Sequence, residues 1–114
     1  MKELLKILKA LGDETRIRII KMLLERALCV CELTDVLGIN QSSVSHHLKI
    51  LEDAGLVEHK RDGQWINYEL SVDRANEFVQ EILNLIEGCL NNDPIVKNDL
   101  KLSMTVDRNL ICKK

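Results

Sequence analysis

After Gly55 the spacing of apolar residues changes from helical to alternating, and this change constrains the fold most. Leu56 to Arg61, then Asp62-Gly63, then Gln64 to Leu70 reads as two strands around a two-residue turn. Asp-Gly between alternating runs is a strong hairpin signal. Pairing Arg61 with Gln64 puts Val57, His59, Ile66 and Tyr68 on one face and Glu58, Lys60, Trp65 and Asn67 on the other.

The helices precede it. Leu4, Ile7, Leu8 and Leu11 recur at helical spacing and predict a helix over 2–11. Gly12 ends it, and Asp13 caps a second helix running through about Glu25, with Ile17, Ile20, Leu23 and Leu24 as its stripe. The stretch 27–30 leads to a short third helix that begins near Cys31 or Glu32 and stops at Leu37, before Gly38. Asn40 caps a fourth helix over 41–53, which Gly55 closes. Two short helices joined by Gly38-Ile39-Asn40 and followed by a hairpin make a winged helix-turn-helix: a mostly α fold with a β-hairpin wing. A long helix from about Asp73 to Leu90 follows, with Ala75, Phe78, Val79, Ile82, Leu85, Ile86 and Cys89 on a wide apolar stripe. Beyond Pro94, Leu100, Leu102, Met104 and Val106 alternate with polar residues. The division expected is a domain over 1–91 and a tail over 92–114, a short strand or mobile.

Composition narrows the function classes. At 114 residues, 46% apolar and 30% charged, the chain suits one soluble domain and is too apolar for disorder. No apolar run approaches the ~20 residues that span a bilayer. The first residues are too charged for a secretory signal, so the expected location is the cytoplasm, where four cysteines are thiols. A 3% aromatic share speaks against base-stacking platforms. No phosphate-binding glycine loop, nucleophile motif or carboxylate pair points to an enzyme. The net charge is −2, and residues 27–70 carry three Lys/Arg against seven acids. Nucleic-acid binding must therefore rest on motif geometry rather than on a basic surface.

That geometry is present in the fourth helix. At about 100° per residue, Val44, Leu48 and Leu51 face inward, while Ser42, Ser45, His46 and Lys49 point away with Ser43 and Ile50 at a margin. With Gln41 at the helix start, the candidate DNA contacts are Gln41, Ser42, Ser43, Ser45, His46 and Lys49, small hydrogen-bonding groups suited to a major groove. Lys60 and Arg61 add candidates in the wing, with Lys60 and Trp65 expected to stack across its outward face. His47 falls beside the apolar arc and reads as a packed, hydrogen-bonded residue.

The segments ALGDETRIRIIKMLLE, LCVCEL and NQSSVSHHLKILEDAGLVEHKRDGQWINYEL resemble the ArsR/SmtB family of metalloregulatory repressors, over about residues 4–90. The resemblance implies a homodimer that binds double-stranded operator DNA, an inverted repeat, and releases it when an inducer binds. It implies a dimer interface built from the first and last long helices, which the stripes over 4–11 and 75–89 fit. No membrane partner and no constitutive cofactor are expected.

The resemblance also places the inducer at Cys29 and Cys31. Residues two apart lie ~200° apart on a helix but share a side on extended backbone. Two converging thiolates suit As(III), Sb(III), Cd(II) or Pb(II). Arsenic repressors of the family often carry a third cysteine where this chain has Thr34. Its cadmium and lead sensors add cysteines from an N-terminal extension, and no cysteine precedes Cys29 here. Its zinc and nickel sensors use Asp and His on the last helix, and 73–90 holds no histidine. Trivalent arsenic or antimony is the expected inducer, with Cd(II) or Pb(II) the alternative. Cys89, Cys112, a small thiol or an organic substituent could fill a third position; Cys89 lies on the apolar stripe and reads as core. If the backbone at Cys31 is helical, bridging the sulfurs would distort the first turn and disfavour the DNA-bound form. A thiol-redox switch at Cys29 or Cys31 and a winged-helix protein-interaction module are the other readings.

Overall fold

The computed structural model describes residues 1–72 and 76–111; Ala75 and Cys112 lie outside the described residues. Along the chain run α1 (Lys2–Leu11), α2 (Glu14–Leu23), β1 (Leu28–Cys29), α3 (Val30–Leu37), α4 (Gln41–Asp53), β2 (Val57–Asp62), β3 (Trp65–Leu70), α5 (Glu77–Glu87), α6 (Pro94–Ser103) and α7 (Arg108–Ile111). The expected helix starts have their physical cause in view. The Arg16 backbone N–H donates to the Asp13 carboxylate at 3.0 Å, and the Ser43 N–H donates to Asn40 Oδ1 at 2.8 Å. Each satisfies a donor that a helix start leaves without an intrahelical partner. Gly38 closes α3 in the left-handed conformation, φ +68°, its N–H donating to the Thr34 carbonyl at 2.9 Å.

The sheet has three strands in the order β1-β3-β2, all neighbours antiparallel. In the hairpin Asp62 pairs with Trp65 and Arg61 with Ile66, so the turn is Gly63-Gln64 rather than Asp62-Gly63. Gly63 has φ +62°, which suits the first position of a type II′ turn. This register differs from the expected one by two residues, which leaves the faces as read; a shift of one would have exchanged them. β1 went unseen in the sequence. It pairs Leu28 with Tyr68 and Cys29 with Asn67, and two residues are too few to show an alternation.

Ile7, Ile19, Ile20, Met22, Leu28, Leu33, Val44, Leu48, Leu51, Leu56 and Val79 form the centre of the core. The inward arc read for α4 is the one buried. On α2 the buried set is Ile19, Ile20, Met22 and Leu23, a wider arc than the stripe expected, because α1, α4, α6 and β3 all pack on it. α5 is shorter than 73–90: Asn76 caps it, accepting from the Phe78 N–H at 3.1 Å, and Gly88 ends it. Leu5 and Leu8 of α1 and Leu85 of α5 remain exposed, Leu85 at 67%.

The segment after Pro94 is helical, not a strand. Pro94 occupies the first turn of α6, where its missing N–H costs nothing. Asp93 caps that turn, accepting from the Ile95 and Val96 N–H groups at 2.9 and 3.1 Å. The alternation of Leu100 and Leu102 misled, since Val96, Asp99, Leu100 and Ser103 share a helical face. α2 and the residues just after it fasten the C-terminal elements with cations. Arg18 grips the buried Asp99 through two bonds of 2.7 and 2.9 Å, and Arg26 donates to the Ser103 carbonyl at 2.7 Å. Lys21, itself buried, donates to the carbonyls of Ile86 and Cys89 at 3.1 and 2.7 Å and to Asn91 Oδ1 at 2.9 Å. Cations near helix carbonyl ends are favourable placements. Three of the seven Lys/Arg of residues 1–26 thus serve the C-terminal elements. No helix among the described residues is long and apolar enough to cross a membrane.

Candidate functional site

Cys29 and Cys31 sit where a strand becomes a helix. Pairing of β1 with β3 holds Cys29 extended, φ −86° and ψ 167°, and it is the N-cap of α3. Cys31 is the second helical residue. This junction brings the sulfurs to 3.8 Å without unwinding a turn, so the distortion expected for bridging a helical pair is not needed. One ion bridging two sulfurs through bonds of ~2.3 Å requires a separation of about 3.3–3.8 Å. The Cys29 N–H donates to Glu32 Oε1 at 3.0 Å, the carboxylate half of a capping box, and Glu32 is also held by Arg26 at 3.4 Å. Burial pushes the Cys29 thiol above its ordinary range; the Glu32 backbone N–H partly offsets this, and the Glu32 carboxylate adds to it. Cys29 therefore rests as a thiol, whose proton an incoming ion must displace. Cys31 is half-buried and makes a further interaction besides that with Cys29.

Trp65 is buried against both sulfur-bearing residues and does not stack with Lys60. Cys29 and Cys31 pack against it, and Lys60 turns to Glu69 at 2.6 Å. The two sulfur-bearing residues line a cleft of about 270 Å³ whose walls include Trp65, Ile66, Gln41 and Arg61. The candidate ion ligands, the first residue of α4 and the wing cation are thus neighbours. Cys89 is not core. It is exposed in the turn after α5, because that helix ends before it; its N–H donates to the Ile86 carbonyl and its carbonyl accepts from Lys21. Among the described residues no cluster of three His, Cys, Asp or Glu is arranged to hold a metal. Cys112, the other candidate, is not among them.

The outward face of α4 is as read from the sequence. Gln41, Ser42, Ser45, His46 and Lys49 are exposed and Ser43 is half-buried. The Ser42 hydroxyl donates to Asn40 Oδ1 at 2.8 Å, leaving its oxygen to accept. His47 is tucked under, its Nδ1 3.1 Å from an Arg16 Nη1 that can only donate. Burial lowers the His47 pKa, with Asp13 opposing and Arg16 reinforcing the shift. Among the described residues Lys49 and Arg61 have no carboxylate partner, whereas Arg18, Arg26, Lys60 and Arg108 do. Lys49 lies on the recognition helix and Arg61 on the wing.

Residues 13–59, which contain the helix-turn-helix, match the model of the arsR family of bacterial regulatory proteins. The chain is also 41% identical over 76 residues to the arsenical resistance operon repressor of Bacillus subtilis, a match covering 66% of this chain and 72% of the relative. The chain belongs to the arsR family. A cadmium resistance transcriptional regulatory protein CadC homolog of Staphylococcus aureus is 32% identical over 77 residues, 67% of this chain and 64% of that one. Among solved structures, the homodimeric winged helix-turn-helix DNA-binding domain of Mb0332 from Mycobacterium bovis superposes with a TM-score of 0.65 at 27% identity, covering 75% of this chain and 76% of that one.

This arsR-family chain is therefore a winged helix-turn-helix DNA-binding transcriptional regulator and not an enzyme. Three residues at its site escaped the sequence reading. Glu32 could have been found, since Cys29-x-x-Glu32 has capping-box spacing with sulfur in place of a hydroxyl. Arg16 and Arg108 could not, because they act across 31 and 41 positions of chain, on His47 and Asn67.

Proposed function

We propose that the chain is a repressor that binds an inverted-repeat operator as a homodimer and leaves it when trivalent arsenic or antimony binds Cys29 and Cys31. The observation that carries this is the pair of sulfurs 3.8 Å apart in a cleft walled by the recognition helix and the wing. An ion there lies between the two elements that must hold a fixed spacing to engage DNA. Occupancy that shifts Gln41 relative to Arg61 weakens operator binding, and by linkage the operator weakens ion binding by the same factor. Coupling of about 1–3 kcal/mol, up to roughly a hundredfold in affinity, is the usual range. Soft thiolates suit thiophilic ions such as As(III) and Sb(III), and likeness to an arsenical resistance repressor favours arsenic. Exposed Leu5, Leu8 and Leu85 supply an apolar face for a second copy.

The test is operator release by the reduced protein, titrated with arsenite, antimonite, cadmium and zinc side by side. Cys29→Ser and Cys31→Ser should each keep operator affinity and lose release by arsenite, because a neutral hydroxyl is a poor soft-ion ligand. Normal release from the double variant would remove the site. Release by cadmium alone would keep the site and change the ion.

A further inference from the structure

The C-terminal helix α7 lies outside the segment that defines the family, yet it reaches back to the wing. Arg108 donates through Nη2 to Asp62 Oδ2 at 2.6 Å and through Nη1 to Asn67 Oδ1 at 2.7 Å. Its guanidinium carbon stands 5.4 Å from the centre of the Trp65 ring, within cation–π range. Asp62 ends β2, Trp65 begins β3 as its partner, and Asn67 follows on the same face. One guanidinium thus ties the two strands together across the turn at the tip of the wing. The segment delivering it is anchored: Arg26 holds the Ser103 carbonyl, Val106 packs on the core, and α7 packs on α3. The Arg108 side chain is only 23% exposed.

We propose that α7 is a strap that sets the wing for DNA, with Arg108 as its positioning residue. The tip carries Arg61 beside Asp62, so without a partner the carboxylate would cancel the adjacent cation and repel phosphate. Arg108 neutralises Asp62, leaving Arg61 effective, and fixes the strand ends so that Arg61 meets the backbone from one direction. Consistent with this, Arg108 holds the Asp62 carboxyl below its usual range. The proposal rests on DNA binding alone and not on the identity of the inducer.

Operator affinity of the full chain, without inducer and at low salt, tests it. Arg108→Gln should weaken binding about threefold or more, the scale of a partly exposed charge pair, with a defect that fades as salt screens it. Arg108→Gln combined with Asp62→Asn should regain most of the loss, since the carboxylate that needed neutralising is gone. Trp65 is the only tryptophan, so its emission should change in Arg108→Gln as the ring loses its cover. Wild-type affinity in Arg108→Gln would overturn the proposal. A double variant as weak as the single one would make Arg108 a direct DNA contact or a folding residue and would overturn it equally. So would an Arg108→Gln chain that fails to fold.

Discussion

At the scale of single residues, what a side chain faces matters more here than its type. The two adjacent histidines of α4 differ in this way. His46 is exposed, while His47 is packed against Arg16, whose Nη1 can only donate to it. Nδ1 of His47 therefore serves as an acceptor and the ring rests neutral. Its folded pKa lies below its unfolded value near 6.5, chiefly through burial, so on acidification the unfolded chain takes up this proton first. The stability associated with a neutral His47 is complete above pH ~6.5 and is lost as pH falls below it, down to the folded pKa. His47→Gln retains an acceptor without the titration. Urea midpoints measured between pH 7.5 and 5 should fall less steeply for this variant than for the wild type. Equal slopes would mean that His47 titrates alike in both states. Cys29 shows the same dependence on surroundings. Read by type, it is a small buried hydrophobe. Read by place, it is the N-cap that brings a second sulfur within reach.

At the scale of elements, the helix-turn-helix was legible in the sequence because short-range chemistry dictates it. Asp13 and Asn40 are caps, Gly38 supplies a left-handed turn, and Val44, Leu48 and Leu51 keep a helical period. The exposed set of α4 follows from that same period, so five of the DNA candidates on this helix are exposed and Ser43 is half-buried, as their spacing requires. β1 and the C-terminal helices were less legible. β1 is defined by its pairing with distant β3, and the buried face of α6 carries Asp99, whose partner Arg18 lies far away in the chain. Pro94 stands in the first turn of α6, where a proline starts a helix rather than ending one. The α4 assignment carries its own test. Ser42→Ala and His46→Ala should each weaken operator binding, by about 1–3 kcal/mol where the lost group reads a base, and leave the fold intact. Arg61→Ala should weaken binding to operator and random duplex alike and flatten the dependence on salt. If neither α4 variant changes affinity, another surface reads the operator.

At the scale of the whole molecule, the difficulty is charge. A chain of net charge −2, with Arg18, Lys21 and Arg26 serving α6 and the turn after α5, offers few cations on its recognition helix and wing tip, chiefly Lys49 and Arg61. Two copies on one operator make the second binding event intramolecular, which can raise overall affinity by 10²–10⁴-fold without a new contact. The molecule measures 43 × 32 × 21 Å, so two copies side by side have centres separated by a distance of the order of the ~34 Å between half-sites one turn apart. The exposed apolar residues available for pairing are Leu5 and Leu8 on α1 and Leu85 on α5, with Phe78 and Ile82 half-buried on the helix of Leu85. Leu85 separates assembly from folding, because at 67% exposure a charge there meets solvent in the single copy and costs its core little. Leu85→Glu should therefore retain the melting behaviour of an isolated chain, sediment as a monomer at micromolar concentration, and lose at least a hundredfold in affinity for a two-half-site operator. Its affinity for a single half-site should match that of the wild type. A Leu85→Glu chain that still sediments as a dimer would move the interface off α5, and a wild-type chain that sediments as a monomer would require the recognition helix and wing to hold the operator without avidity.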